Sequence, residues 1–202
     1  MKSIDSVRRA IDVALAAGAA ALLSPLIAAA AIAARVSLGP GVLFSQRRLG
    51  RGGVPFELLK FRTMRHPAPG REGPEFDDER RTRVGTLLRR TSIDELPSLW
   101  NVIVGDIALV GPRPLPVHYF DRFRGDEYER FEVRPGITGL AQVAGRNAVD
   151  WDERLALDVE YVRTRSLVGD LRLLVQTVST VVSGADVDQA DGVTMTELPA
   201  NR

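Results

Sequence analysis

The feature that most constrains this chain is an apolar segment near its N-terminus, VALAAGAAALLSPLIAAAAIAA, from Val13 to Ala34. Its 22 residues carry no charge. As a helix they would extend about 33 Å, enough to cross the hydrocarbon core of a bilayer. Pro25 interrupts the segment near its centre, where it removes a backbone donor and disfavours helical geometry at Ser24. The sequence therefore predicts two half-helices of about ten residues each, and neither is long enough to span.

Basic residues flank this segment on both sides. They are Lys2, Arg8 and Arg9 before it, and Arg35, Arg47, Arg48 and Arg51 after it. Because positive residues mark the cytoplasmic side of membrane segments, both ends favour the same side. The pattern predicts a re-entrant hairpin over residues 1–38, with Ser24 and Pro25 at the helix break. The Ser24 side chain could satisfy carbonyl groups that the break leaves free.

Two other interpretations of the segment stay open. A secretory signal peptide also has a basic start and an apolar run, but Asp5 and Asp12 are unusual in such a start and the run is long. A soluble helix in a protein core is the second alternative, because alanine is only weakly apolar.

Charge and composition narrow the function classes. The 202 residues suit one packed domain. The absence of cysteine excludes disulfides, a thiol nucleophile and thiolate metal sites. A net charge of +1 conceals a basic start, since residues 1–65 carry ten Lys and Arg against three Asp and Glu. The basic start indicates an anionic partner, either a lipid surface or nucleic acid, or else an ordinary solvated face.

The middle of the chain alternates β-prone and helix-prone stretches. Residues 42–64, VLFSQRRLGRGGVPFELLKFRTM, have two partly alternating runs around a GRGG turn, a pattern typical of a β-hairpin. Residues 66–81 are rich in Pro, Gly and charge, which predicts a mobile loop that is either a lid or a connector. Helices are expected over 83–90 and 94–104, with Gly105 ending the second.

Two helical patterns follow towards the C-terminus. Each places apolar side chains on one face: Trp151, Leu155, Val159 and Val162 in the first, and Leu167, Leu171, Leu174, Val175, Val178 and Val182 in the second. Such stripes predict packing in a core, with seating on a membrane surface as the alternative.

The stretch SIDELP, residues 92–97, places adjacent carboxylates at Asp94 and Glu95. Ser92 and Glu95 match a capping box, in which both acids only stabilise a helix start. Pro97 favours Asp94 as the cap, because it is then the third helical residue and needs no intrahelical donor. We expect Asp94 at a helix N-terminus, kept ionised by the helix end and nearby arginines. An ionised, exposed carboxylate can hold Mg²⁺ or attack phosphorus.

Three other polar residues can be interpreted from the sequence: Arg113, His66 and His118. Arg113 lies between Pro112 and Pro114, which fix its backbone. A rigidly held guanidinium suits bidentate phosphate recognition. His66 and His118 are too few and too isolated to form a metal site, and we interpret both as ordinary polar residues.

Several segments together resemble the bacterial sugar transferase family. They are the broken apolar helix with SP, KFRTM, SIDELPSLWNVIVGDIALVGPRPL, RPGITGLAQVAGRN and WDERLALDVEYV, in the order and spacing of that family. The resemblance covers essentially the whole chain and is strongest to small members that consist of the catalytic unit alone. These proteins are the monotopic polyprenyl-phosphate phosphoglycosyl transferases.

The resemblance implies transfer of a phosphosugar from a UDP-sugar to a polyprenyl phosphate, such as undecaprenyl phosphate, with release of UMP. At matching positions, Asp94 would be the nucleophile that forms a covalent aspartyl-phosphosugar intermediate and a ligand of the required Mg²⁺. Glu95 would complete the dyad, and Ser24 and Pro25 match the family's helix break. The implied partners are the UDP-sugar, the polyprenyl phosphate and membrane lipids, without nucleic acid. The implied location is the cytoplasmic face of the bacterial plasma membrane.

Cations are available to neutralise the clustered negative charge of a pyrophosphate: Lys60, Arg62, Arg89, Arg113 and Arg146. We expect Arg89 and Arg113 to hold phosphate groups. Lys60 and Arg62 are expected to face the lipid phosphate, and Arg146 to help hold the nucleotide. An ordinary surface salt bridge is the alternative for each of them.

The expected fold is α+β, mainly helical with a small β-hairpin. The re-entrant helix-break-helix would occupy 1–38, a cytoplasmic catalytic domain 39–185, and a C-terminal tail 186–202. Two other functions stay open: a Mg²⁺-dependent UDP-sugar hydrolase, and a non-enzymatic membrane-anchored module that binds anions. A function as an anion-binding module does not explain why the DELP and GPRP segments occur together. A hydrolase would release sugar phosphate without a lipid acceptor.

Overall fold

Helices make up most of this α+β fold, which a computed structural model describes over residues 2–71, 76–145, 150–183 and 197–199. The helices there are α1 Lys2–Leu22, α2 Ser24–Leu38, α3 Asp77–Arg80, α4 Arg83–Arg90, α5 Ser98–Val104, α6 Leu140–Ala144, α7 Trp151–Thr164 and α8 Leu167–Ser183. The strands are β1 Leu43–Leu49, β2 Pro55–Phe61, β3 Ala108–Val110 and β4 Gly136–Thr138. Short 3-10 turns lie at Arg51–Gly53, Ile93–Glu95, Val117–Arg122 and Gly125–Phe131.

The proline break divides the N-terminal segment into two helices. α1 has 21 residues and α2 has 15. Both helices are longer than predicted. α1 extends back through the charged residues at its start, and α2 continues past Arg35 to Leu38. The two helices are bent by 64° against each other. Pro25 has no N–H to donate to the Ala21 carbonyl, and the Ser24 hydroxyl donates to that oxygen at 2.8 Å. The prediction that Ser24 satisfies a carbonyl freed at the break is confirmed.

No single helix in the described part of the chain is both long and apolar enough to cross a membrane. By length and composition alone, the bent pair α1 and α2 could do so together. The re-entrant arrangement in a bilayer stays a prediction.

The first two helices pack on the rest of the chain through alanines. Ala16 of α1 is buried with Val102 of α5. Ala30 and Ala34 of α2 are buried with Phe61 and Leu88. Large apolar side chains on the same helices are exposed: Leu22, Leu26, Ile32 and Val36. The described residues of the pair that are buried are thus alanines, whereas several of its large apolar side chains face outward.

The predicted β-hairpin forms from β1 and β2, which pair antiparallel around the GRGG turn. Arg48 lies opposite Phe56, and Lys60 lies opposite Phe44. Side chains alternate between the two faces of a strand, so Arg48 and Lys60 share one face of the hairpin.

A second, parallel pair of strands, β3 and β4, was not predicted. Each strand has only three residues, which is too short for an alternating pattern to be visible. The backbones approach closely here, because a Cβ on Gly136 would lie 2.1 Å from the Gly111 nitrogen. This contact places the GPRP segment, which carries Arg113, directly against the RPGITG segment.

Two of the predicted helices flank the paired carboxylates. α4 has the predicted bounds, and α5 ends at Gly105, whose φ of 102° suits glycine. α5 begins at Ser98 instead of at Asp94, because a separate 3-10 turn takes up the residues before it.

The apolar stripes of the last two helices have different environments. On α7 the predicted core stripe is buried or partly buried: Trp151, Leu155, Val159 and Val162. On α8, Leu173 is buried, whereas Leu171, Val175 and Val178 are 61 to 63 % exposed. The prediction of a core stripe on α8 is therefore wrong for these residues, because the neighbouring elements that the structure describes cover the face that carries Leu173. The side chain of Val182 lies outside the described part.

The segment predicted to be a mobile loop, 66–81, is partly ordered into secondary structure. It contains α3, and Arg81 forms an isolated β-bridge with Met64. Residues 72–75 lie outside the described part, and the mobility of the segment stays a prediction.

One residue of the predicted polar tail lies in the core. Leu198 is fully buried in a cluster that includes Tyr119 and Trp151. Arg122 donates to the Leu198 carbonyl oxygen and lies 3.4 Å from the Glu197 carboxylate. Apart from residues 197–199, the tail lies outside the described part.

Candidate active site

The paired carboxylates lie in a tight 3-10 turn, and not at the start of an α-helix. Ser92 has a φ of 56°, a left-handed conformation that is uncommon for residues other than glycine. Its side chain makes no capping hydrogen bond, and Pro97 precedes the first residue of α5. Both capping predictions are therefore wrong, because the left-handed Ser92 turns the chain so that Asp94 and Glu95 precede α5 instead of starting it.

Glu95 is held by cations from two distant segments. Lys60 Nζ donates to Glu95 Oε1 at 2.6 Å, and Arg113 Nη2 donates to the same oxygen at 3.0 Å. Burial raises the pKa of Glu95, but the charges and hydrogen bonds of Arg113 and Lys60 outweigh it and lower the pKa to about 2. Glu95 therefore stays ionised at neutral pH.

Asp94 has a different environment from its neighbour. It is partly buried and forms no hydrogen bond or ion pair with any other described residue. Burial and the charge of Glu95 raise the pKa of Asp94 to about 6, although Lys60, Arg89 and Arg113 oppose this. We expected nearby arginines to keep Asp94 ionised. The carboxylate is mostly ionised only where the pH lies above that pKa. At pH 7 about nine-tenths of the Asp94 side chains are ionised.

Arg89 projects from the last turn of α4 towards the carboxylates. Its Nε donates to Thr63 Oγ1 at 2.8 Å, and its Nη2 lies 3.0 Å from Met64 Sδ. Burial lowers the pKa of Arg89 and the charge of Asp94 raises it. Arg89 is thus close enough for its charge to oppose the rise in the pKa of Asp94, although it forms no ion pair with that carboxylate.

Arg113 is held at its backbone as well as at its guanidinium, which contacts Glu95, and the rigidity expected from its flanking prolines stays a prediction. Its carbonyl oxygen accepts a hydrogen bond from Arg130 Nη2 at 2.8 Å. Arg130 in turn forms an ion pair with Asp158 Oδ2 at 2.8 Å, and both side chains are at most 3 % exposed. This buried pair was not predicted from the sequence, because Arg130 and Asp158 are 28 residues apart and belong to no local pattern.

Two further predicted residues lie elsewhere. Arg62 is 6 % exposed, and its Nη2 donates to the carbonyls of Leu38 and Gly39 at 2.7 and 3.0 Å. These bonds tie the end of α2 to β2 and favour an anchoring role, and the expected contact of Arg62 with a lipid phosphate stays a prediction. Arg146, expected to help hold the nucleotide, lies outside the described residues.

One cation of this site was not predicted as a site residue. Arg48 lines a narrow cleft together with Lys60, Glu95 and Arg113, whereas the sequence analysis counted it only as a charge flanking the apolar segment. The alternation of β1 could have identified it, because Arg47 is exposed and Arg48 is partly buried.

The expected Mg²⁺ is compatible with the residues present. Within the described ranges, no three His, Cys, Asp or Glu side chains come together as a metal site. Mg²⁺, however, commonly takes one or two carboxylates and completes its shell with substrate phosphates and water. The unpaired Asp94 carboxylate, with cations suited to phosphate around it, fits that donor set.

Comparison with known proteins identifies the family. The sequence model described as "Bacterial sugar transferase" matches residues 3–184. The chain belongs to the bacterial sugar transferase family. The resemblance inferred from its motifs is therefore confirmed.

Three relatives illustrate this similarity. The chain is 44 % identical over 160 residues to "Uncharacterized sugar transferase EpsL" of Bacillus subtilis, covering 79 % of each chain. It is 43 % identical over 191 residues to the UDP-glucose:undecaprenyl-phosphate glucose-1-phosphate transferase of Caulobacter vibrioides, covering 90 % of this chain and 72 % of the relative. It is 36 % identical over 186 residues to the UDP-N-acetylgalactosamine-undecaprenyl-phosphate N-acetylgalactosaminephosphotransferase of Aeromonas hydrophila, covering 88 % and 44 %.

Proposed function

We propose that this protein transfers a phosphosugar from a UDP-sugar to a polyprenyl phosphate, with release of UMP. The observation that carries the proposal is the unpaired Asp94 carboxylate, which lies among fixed cations while its neighbour Glu95 is held by two of them. Two relatives are named as transferases of sugar phosphates from UDP-sugars to undecaprenyl phosphate. Their sugars differ, so the reaction class is what they have in common.

Asp94 is the nucleophile in this proposal. An Asp94 oxygen attacks the β-phosphorus of the UDP-sugar, and the bond from that phosphorus to the bridging oxygen breaks to release UMP. A phosphate oxygen of the polyprenyl phosphate then attacks the same phosphorus. The bond between Asp94 and phosphorus breaks, which restores the carboxylate and yields a polyprenyl diphosphate sugar. Asp94 suits this role because it is unpaired and largely ionised at neutral pH.

The surrounding cations reduce the repulsion between a carboxylate and a pyrophosphate. In this proposal Arg89 and Arg113 bind phosphate oxygens, and Lys60 supplies a further charge beside them. Glu95 holds Lys60 and Arg113 in position. Mg²⁺, when bound, would be held by Asp94 and by substrate phosphate oxygens, and it would neutralise further negative charge.

A lipid acceptor requires the site to lie at a membrane surface, which we propose is the cytoplasmic face of the bacterial plasma membrane. The bent pair α1 and α2 supports this proposal, because its outward face carries large apolar residues such as Ile32 and Val36, which are 66 and 81 % exposed. The exposed apolar face of α8, with Leu171, Val175 and Val178, supports it as well.

The reaction is tested by measuring UMP. Detergent-solubilised protein is incubated with Mg²⁺ and a panel of UDP-sugars, with and without undecaprenyl phosphate. We expect lipid-dependent turnover with at least one UDP-sugar, and a loss of about 10³-fold or more in Asp94→Asn. Asp121→Asn is the matched control, because Asp121 is exposed and the substitution makes the same chemical change.

The outcomes separate the alternatives. Without lipid, UMP release limited to about one molecule per enzyme indicates the covalent step alone. Continuous release of UMP and sugar phosphate without lipid would identify a hydrolase instead. An Asp94→Asn variant as active as the wild type would refute the nucleophile assignment.

Membrane association is tested by extraction. A protein held only by charge leaves membranes at about 1 M salt, where the Debye length is roughly 3 Å. We expect this protein to stay in the membrane fraction at high salt and to require detergent. Release by salt alone would favour a peripheral anion-binding module.

A further inference from the structure

The active-site cluster contains more positive charge than its acids neutralise. Arg48, Lys60 and Arg113 line the cleft together with one carboxylate, Glu95, and Arg89 and Asp94 lie beside it. The basic side chains outnumber the acidic ones by about two, an excess opposite in sign and close in magnitude to the charge of the pyrophosphate in a nucleoside diphosphate sugar at neutral pH. Lys60, Arg89 and Arg113 already have roles in the proposed reaction, whereas Arg48 does not.

Arg48 is held in place by neutral groups. Its Nη1 donates to the Pro114 carbonyl at 3.3 Å and its Nη2 to Gln46 Oε1 at 2.6 Å, while its Nε is buried without a hydrogen-bond partner among the described residues. In the part of the chain that the structure describes, no carboxylate forms an ion pair with Arg48. Burial and the charge of Arg113 lower the pKa of Arg48 to about 10, so that it still carries its charge at neutral pH.

The burial of Arg48 beside Arg113 destabilises the ligand-free protein. A largely buried guanidinium without an acidic partner, next to a second guanidinium, loses solvation and experiences repulsion. Arg130, another largely buried guanidinium beside Arg113, is paired with Asp158, and the buried Arg62 has no second guanidinium next to it in the described part of the chain. A negatively charged ligand in the cleft would remove the imbalance.

We propose that Arg48 is a phosphate-binding residue of this site, and that its charge attracts a substrate phosphate into the cleft it shares with Lys60 and Arg113. This inference rests on the proposed function and deepens it. The chemistry recognised is a phosphate or pyrophosphate group, which either the UDP-sugar or the polyprenyl phosphate can supply.

Arg48→Met and Arg48→Lys test the proposal, with Arg47→Met as the matched control. Arg47 is the exposed neighbour on the other face of β1, and its substitution changes the net charge equally. UMP release is measured while each substrate is varied in turn. Thermal unfolding is measured with and without inorganic pyrophosphate, which needs no turnover.

We expect Arg48→Met to raise the KM of one or both substrates by roughly 10-fold. Because the proposed contribution of Arg48 is its charge, Arg48→Lys should stay within about 3-fold of the wild type. Arg47→Met should match the wild type. The unfolding temperature of ligand-free Arg48→Met should equal or exceed that of the wild type, because the unneutralised charge is gone, while its stabilisation by pyrophosphate should shrink.

A KM increase for the UDP-sugar alone assigns Arg48 to the donor, and an increase for the lipid alone assigns it to the acceptor. The proposal is overturned if Arg48→Met has wild-type KM values and wild-type stabilisation by pyrophosphate. It is also overturned if Arg48→Lys is as impaired as Arg48→Met and both unfold at lower temperature, which would show a structural role at Pro114. Failure of the proposed function is distinguishable, since the wild type itself would then release no lipid-dependent UMP.

Discussion

Replacing Gly85 by alanine should separate α4 from the strand end on which it lies. A Cβ at Gly85 would be 1.8 Å from the backbone oxygen of Thr63 and 2.7 Å from its carbonyl carbon. Ordinary contacts begin at 3.4 Å, so α4 would have to move by about 1.6 Å. The obstacle is backbone, and Thr63 also accepts the hydrogen bond that orients Arg89. The glycine therefore allows the close contact that places Arg89 beside Asp94.

The expected cost follows from two opposing effects. In an open helix, Gly→Ala stabilises by about 1 kcal/mol. Overpacking against an unyielding neighbour costs about 1 to 3 kcal/mol, and a backbone obstacle favours the upper end. The net loss is about 2 kcal/mol, which lowers the unfolding temperature of a chain of this size by about 4 to 8 °C. Displacement of Arg89 should also reduce UMP release by roughly 10-fold or more.

The assay is thermal unfolding in detergent together with UMP release. Gly18→Ala in α1 is the matched control, because in the described part of the chain a Cβ there would have no atom of another element within 4 Å. Its unfolding temperature should equal or exceed that of the wild type. The reasoning is refuted if Gly85→Ala unfolds at or above the wild-type temperature, since the helix propensity would then outweigh the contact with Thr63.

Three further predictions concern charge and burial. Because Asp94 is ionised only above its pKa of about 6, UMP release should fall about 10-fold from pH 7 to pH 5, and a flat profile would contradict this assignment. Asp158→Asn leaves Arg130 buried without its partner and should reduce the free energy of unfolding by about 3 to 5 kcal/mol; an unfolding temperature equal to the wild type's would refute it. Leu198→Ala should cost about 2 to 5 kcal/mol, because its side chain is fully buried; a change below about 1 kcal/mol in denaturant unfolding would show that the tail is not part of the core.

Elements that depend on local chemistry could be predicted from the sequence. Pro25 breaks the N-terminal helix because it lacks an N–H, and the adjacent Ser24 satisfies the carbonyl that the break leaves free. The GRGG turn closes a hairpin, and Gly105 ends α5 in a left-handed conformation. In each case the decisive residues lie within a few positions of one another.

Two other predictions were wrong, one about a local turn and one about what packs on a helix face. Capping rules placed Asp94 at a helix start, but the left-handed Ser92 produces a 3-10 turn instead. The apolar stripe of α8 has the periodicity of a core helix, yet Leu171 and Val175 are exposed because no described element covers them. Periodicity identifies a face of a helix and does not specify what packs on it.

The sequence by itself determined the family and the reaction class that its motifs imply, and it predicted most of the candidate site residues. Tertiary structure decided how those residues act. Contacts across 35 and 18 residues pair Glu95 with Lys60 and Arg113, and they leave Asp94 unpaired. The fold also turns Arg62 towards the end of α2 and adds Arg48 to the site. The reason is that pairing and pKa depend on distance and burial, which arise only when segments far apart in the chain meet.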